Sequence, residues 1–233
     1  MWLHGWGYNR SGFARIAALF HNDGQSNLYD LPGFGDTPML FEGADTEDYA
    51  DALAAQLDQS KAHILIGHSY GGRVAVQLAA NYPQLVKAIV LIGGAGLPLK
   101  KSLLFKIKAA ALKFLGRLAR ISDHLFGTHY RAVYVQRFGS ADYRNAGQLR
   151  ETLVKAVTED LSNVARQISC PVLLLYGEND TATPPEIGLR YETLIPVSRF
   201  TLLKGYDHHD TLTRGAYQCE ALIKSFLKDL NHD

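Results

Sequence analysis

Alternation constrains this chain most: short aliphatic, β-branched runs take turns with stretches of helical spacing. Residues 26–31 precede a helical pattern over 45–57, residues 63–67 precede one over 70–82, and a further apolar run follows at 86–92. The rhythm resumes with a strand-like run at 172–176, a helix at 185–194, a strand at 199–203 and a closing helix at 216–230. Strand and helix repeated this way build a mostly parallel, doubly wound α/β sheet with helices on both faces, and sites in such sheets lie at the carboxyl ends of strands. Residues 98–168 break the rhythm, being helical in pattern with no buried-strand run. They are expected to form a helical cap inserted into a core made of residues 1–97 and 169–233.

Charge separates this insert from the rest. The chain of 233 residues has a formal net charge of only +1, so its overall field gives no reason to expect either nucleic acid or an anionic membrane surface as a partner. Yet no acidic residue stands between Asp58 and Asp123, while Lys100, Lys101, Lys106, Lys108, Lys113, Arg117 and Arg120 alternate with apolar residues such as Leu103, Ile107 and Leu112. The result is a basic amphipathic helix. It is expected to bury its apolar stripe over the active site, with docking on a membrane surface as the competing use. Phe105, Phe114, Phe126, Tyr130, Tyr134 and Phe138 are the candidate substrate-binding walls of this cap. Two cysteines, Cys170 and Cys219, lie in no metal-ligand or disulfide spacing, so no metal and no cofactor is expected. With no membrane-length apolar run, a cytoplasmic location is the expectation.

The chemistry centres on Gly67-His68-Ser69-Tyr70-Gly71, which follows the strand residues Ile64-Leu65-Ile66 and opens directly into a helix. A serine in that strand-to-helix turn is strained and presents its hydroxyl at the sheet's upper edge; the bland alternative is a glycine-rich turn with a bystander serine. Serine needs a base and an orienting acid, in the chain order Ser, Asp or Glu, His. Asp180 stands at the end of the strand Leu173-Leu174-Leu175-Tyr176, and His208 follows the next strand, with His209 as its competitor. Asp207 and Asp210 are too local to buttress a neighbouring histidine. Backbone N–H groups of Tyr70 and of Trp6, in the loop His4-Gly5-Trp6-Gly7, are the expected oxyanion donors. His4 itself reads as a buried scaffold residue.

Together His4–Gly7, the Leu-Pro-Gly-Phe-Gly-Asp-Thr run at 31–37, Gly-His-Ser-Tyr-Gly-Gly at 67–72, the strand end Tyr-Gly-Glu-Asn-Asp at 176–180 and Gly-Tyr-Asp-His at 205–208 resemble the α/β-hydrolase superfamily. The resemblance covers essentially the whole chain. It implies Ser69, Asp180 and His208 as triad, Trp6 and Tyr70 as oxyanion donors, and a cap inserted after the strand ending at Ile92. Serine at position 69 sets the chain apart from the dehalogenase and epoxide-hydrolase branches, which carry aspartate there. Members usually have two strands before the one ending in His-Gly, whereas only Met1, Trp2 and Leu3 precede His4. The sheet is therefore expected to lack that first pair and to leave the strand around Tyr29 at an edge open to self-association.

The function expected is hydrolysis of small-molecule carboxylic esters of small to medium apolar acyl groups through an acyl-enzyme. A lyase or acyltransferase on the same scaffold is the alternative enzyme, because Arg73 after the elbow slightly resembles menaquinone-pathway synthases. A non-catalytic ligand-binding receptor is the alternative outside enzymes.

Overall fold

Aliphatic residues fill both sides of the central strands, which is why these segments read as continuous apolar runs. In the computed structural model, residues 1–22, 24, 26–99 and 103–230 are described, with residues 103–106, 108, 109 and 113 given by their backbone alone. The described strands are β1 (Trp2–Leu3), β2 (Leu28–Tyr29), β3 (His63–His68), β4 (Val86–Ile92), β5 (Val172–Gly177) and β6 (Ser198–Leu203). They form one sheet in the order β2-β1-β3-β4-β5-β6, and every pairing in it is parallel. The strand holding Tyr29 is an edge strand, as expected.

Side chains alternate between two layers. Ile89 and Leu91 of β4 and Leu174 and Tyr176 of β5 pack with α2 (Thr46–Ala54), α3 (Tyr70–Asn81) and α9 (Pro185–Leu194). Val90, Ile92, Leu173 and Leu175 face the opposite way, toward α1 (Ala14–Ala17) and α10 (Ala216–Asp229). The start of α2 is fixed locally by a capping box: Asp45 accepts from the N–H groups of Glu47 and Asp48, and the Asp48 carboxylate accepts from the Asp45 N–H. The chain leaves β1 toward β2 on one side and returns to β3 on the other, so the loops after β1 and β3 part over a crevice.

The insert comprises α4 (Leu103–Phe126), α5 (Tyr130–Phe138), α6 (Ala141–Asn145), α7 (Arg150–Thr158) and α8 (Ser162–Ala165). Its second half joins the main core through Leu149, Ala156, Leu161 and Ala165. Arg73 of α3 pairs with Glu159 at 3.1 Å, and the Leu161 N–H donates to the Gly96 carbonyl at 2.9 Å. The first half behaves differently. Helix α4 packs chiefly on α5, and Ile107, Phe114, Leu115 and Leu118 are exposed. The expectation that segment 100–120 buries its stripe over the active site is therefore corrected for the described residues; residues 100–102 lie outside them. The physical reason is that α5 occupies the face carrying Leu112 and Gly116, while the main apolar stripe looks the other way.

Candidate active site

Strand β3 runs straight into α3 through Ser69, whose φ of 49° and ψ of −110° make it the sole non-glycine residue of positive φ among the described residues. The two neighbouring glycines permit that turn by close approach. A Cβ on Gly67 would come within 2.6 Å of the Gly71 carbonyl oxygen, and one on Gly71 would run into the carbonyl of Leu3 in β1. The Ser69 hydroxyl, hydrogen-bonded to no described residue, borders a cavity of about 690 Å³ at the carboxyl end of the sheet.

His208 borders the same cavity, and its Nδ1–H donates to Asp180 Oδ2 at 2.7 Å. The Asp180 carboxylate is fully buried just beyond the end of β5. Its Oδ1 accepts from the N–H groups of Ala182 (2.9 Å) and Thr183 (2.7 Å), and its Oδ2 also accepts from Thr183 Oγ1 at 2.8 Å. Burial alone would raise the pKa of this acid, but the bonds from His208 and Thr183 outweigh it and hold the pKa below the usual carboxylate range. The nucleophile candidate, the histidine and the aspartate thus gather from three strand ends. His209 takes another direction: it is exposed and bonds Tyr8 Oη at 3.0 Å. Asp207 caps its own turn through the N–H groups of His209 and Asp210, and Asp210 is held by Arg214, so neither carboxylate touches His208.

Three supporting residues carried little signal in the sequence. Thr183 Oγ1 lies 3.1 Å from His208 Nδ1 and 2.8 Å from both Asp180 Oδ2 and the Gly93 carbonyl, so its one proton is shared between two acceptors and the hydroxyl braces the histidine and the aspartate together. The only hint of it was its place three residues after Asp180. Buried His68 donates Nε2–H to the carbonyl of His208 at 3.1 Å, its ring 4.5 Å from that of His208. Burial, and then the neighbouring His208, push its pKa down to about 3, so it stays neutral. Tyr8 joins the cavity wall beside His209. His4 is the scaffold residue expected: its Nε2 accepts from the Leu31 N–H at 3.0 Å and its Nδ1–H donates to the Gly5 carbonyl at 2.8 Å.

Trp6 and Tyr70 meet edge to face, ring centroids 5.2 Å apart. The Tyr70 N–H is the first of α3 and has no intrahelical acceptor. Trp6 sits inside the turn closed by the Tyr8 N–H on the Gly5 carbonyl, and its own N–H is bonded to no described residue. Two uncommitted donors therefore flank Ser69 in sequence and across the crevice.

The cap's contribution to the cavity departs from expectation. It comes from Asp142, Asn145, Ala146 and Leu149 in and after α6, opposite Phe34 and Trp6 of the core. Of the six aromatic wall candidates, Phe114, Phe126, Tyr130, Tyr134 and Phe138 line none of it; Phe126 is 76% exposed and Tyr134 bonds back to α4. The Phe105 side chain lies outside the described residues. The α4–α5 hairpin stands off the cavity, and the chain returns to it only at the short polar helix α6, whose composition gives no pocket signal. Arg73, engaged by Glu159, is not among the cavity residues either. Among the described residues no cluster of histidine, cysteine, aspartate or glutamate is arranged to hold a metal ion.

Residues 1–216 match the model of an alpha/beta hydrolase family. A pimeloyl-(acyl-carrier protein) methyl ester esterase of Neisseria meningitidis serogroup A is 31% identical, over 97% of this chain and 75% of its own length. A serogroup C protein of the same description is 29% identical over 97% of this chain and 92% of its own. Among solved structures, a thermophilic esterase from Thermogutta terrifontis superposes with a TM-score of 0.68 at 22% identity, covering 98% of this chain and 89% of that one. The parallel sheet with its elbow at β3, the family match along nearly the whole chain and these relatives agree: the chain belongs to the alpha/beta hydrolase family, as an enzyme of its esterase-like kind.

Proposed function

We propose that the protein cleaves carboxylic esters by an acyl-enzyme mechanism in which Ser69 is the nucleophile, His208 the base and Asp180 its orienting acid. The observation that carries this reading is the 2.7 Å bond from His208 Nδ1 to buried Asp180, beside a cavity shared with a strained, unbonded Ser69 hydroxyl. With Nδ1–H committed to Asp180, Nε2 carries the free lone pair. Ser69 Oγ attacks the carbonyl carbon as its proton passes to His208 Nε2, and the oxyanion takes hydrogen bonds from the N–H groups of Trp6 and Tyr70. Collapse breaks the C–O bond to the alcohol, which leaves with the proton from His208. Water then attacks the acyl-serine, gives its proton to the same nitrogen, and the carboxylic acid departs with Ser69 restored.

The cavity suits an acyl group of small to medium length. Its apolar side, Trp6, Phe34 and Leu149, faces aliphatic carbon, and Asp142 and Asn145 offer hydrogen bonds farther out. The relatives' names give the methyl ester of a pimeloyl chain borne on an acyl-carrier protein, and a small alcohol is the leaving group we favour. The lyase alternative rested on Arg73, which pairs with Glu159 and does not line the cavity.

A series of p-nitrophenyl esters of increasing acyl length tests the class. Ser69→Ala should lower kcat/KM by about 10³-fold or more with the fold retained, and His208→Ala comparably. His209→Ala should keep most of the activity. A serine-directed phosphonate should label Ser69 alone. An active alanine variant at Ser69, or a silent panel from a folded protein, would sink the assignment.

A further inference from the structure

Ile107, Phe114, Leu118, Ile121 and Leu125 recur along α4 at intervals of seven, four, three and four residues, which sets them on one face of the helix. Each is between 45% and 65% exposed. The face toward α5 is a different one: the Leu112 carbonyl accepts from Tyr134 Oη at 2.8 Å, and Gly116 lies against the Tyr134 ring. In the sequence every residue of the exposed stripe follows a basic one, namely Lys106, Lys113, Arg117, Arg120 and His124. A row of basic positions therefore runs beside the apolar row, about 100° round the helix. Tyr130, Val133 and Phe138 of α5 add further exposed apolar surface.

The hairpin also lacks a free counter-charge. From residue 103 to 138, seven lysines and arginines stand against one aspartate, Asp123. That carboxylate is taken up by Thr128 Oγ1 at 2.6 Å and by the N–H groups of Tyr130 at 2.8 Å and Arg131 at 3.0 Å. A second copy laid on this face would bring like charges together with no spare carboxylate on the hairpin to meet them. An acidic protein would answer the charges but would need its own apolar strip, about 27 Å long, to cover the stripe. An anionic bilayer supplies both in one plane. No helix among the described residues is long and apolar enough to cross a membrane. We propose that the α4–α5 hairpin docks on an anionic phospholipid surface, with α4 lying in the interfacial plane, its apolar stripe among the acyl chains and its basic row at headgroup level. Only Gly139 and Ser140 separate α5 from α6, so docking brings the helix that walls the cavity close to the surface.

Co-sedimentation of the full chain with vesicles tests this without any turnover, so its failure is distinct from failure of the esterase reading. Vesicles of phosphatidylcholine mixed with phosphatidylglycerol should retain the protein about tenfold better than phosphatidylcholine alone, and added salt should reverse the gain. The double substitutions Leu118→Ser with Ile121→Ser, and Arg117→Glu with Arg120→Glu, should each lower retention about tenfold while hydrolysis of a water-soluble short-chain ester and the melting temperature stay as they were. Equal retention on both vesicle types, none on either, or retention untouched by both variants overturns the proposal. So does a concentration-dependent dimer in sedimentation velocity that the Leu118→Ser, Ile121→Ser variant abolishes, or saturable binding of a soluble acidic protein by a chain that ignores vesicles.

Discussion

His208 is held from two sides, by a hydroxyl at its Nδ1 and by an imidazole at its backbone. Thr183→Val keeps the shape of the side chain and removes the hydroxyl that bridges Asp180, Gly93 and His208, so kcat should fall about tenfold with KM little changed. Steady-state kinetics on one short-chain ester decides it; an unchanged kcat removes Thr183 from the support of the histidine. The prediction for His68 concerns pH. Its ordinary value of 6.5 drops to about 3 in the fold, so it stays neutral while an unfolded chain would take up a proton. The stability it allows is complete above pH 6.5 and erodes as pH falls toward 3, amounting to about 2 kcal/mol lost by pH 5. His68→Asn, which does not titrate, should flatten the decline in urea stability between pH 7 and pH 5 by about that amount. Parallel pH profiles for the two proteins would contradict it.

At the level of elements, the elbow helix and the cap are coupled by one nearly buried ion pair. Glu159→Ala leaves the Arg73 guanidinium, 13% exposed, without its carboxylate, and also frees Thr46 Oγ1. We expect a loss of about 2 kcal/mol in urea denaturation, recovered in part when Arg73→Leu is added. Strands β3 to β6 and helices α3, α9 and α10 could be read from sequence to within one residue, because the central strands are buried on both faces and end in a glycine or polar turn; the helical pattern over 45–57 outran the end of α2 by three residues, and the short helix α1 was not read at all. The elbow was legible for the same reason: a serine between two glycines at a strand-to-helix junction leaves one local geometry. The insert was legible as helix and illegible as wall. Amphipathic spacing says that a stripe exists, not which neighbour meets it; α5 covers the Leu112 side, and the stripe through Leu118 is left outward. Thr183 and His68 were missed because their roles rest on contacts from strands far apart in the chain.

Across the whole molecule, opening should follow how each part is anchored. The sheet is packed on each face against helices through its own apolar core, while α4 rests mainly on α5. In hydrogen exchange read by mass spectrometry, amides of α4 and α5 should exchange first and those of β3, β4 and β5 last. Protection of α4 equal to that of β4 would contradict this order. The crevice where the loops after β1 and β3 part carries one more consequence. Trp6, Ser69, Asp180 and His208 are brought together from the first and last parts of the chain, with the insert between them. No contiguous fragment short of nearly the full chain holds all four. Recovery of turnover after dilution from denaturant is therefore a clock for completed assembly, and it should lag the return of helical signal by the time the terminal segments need to find one another.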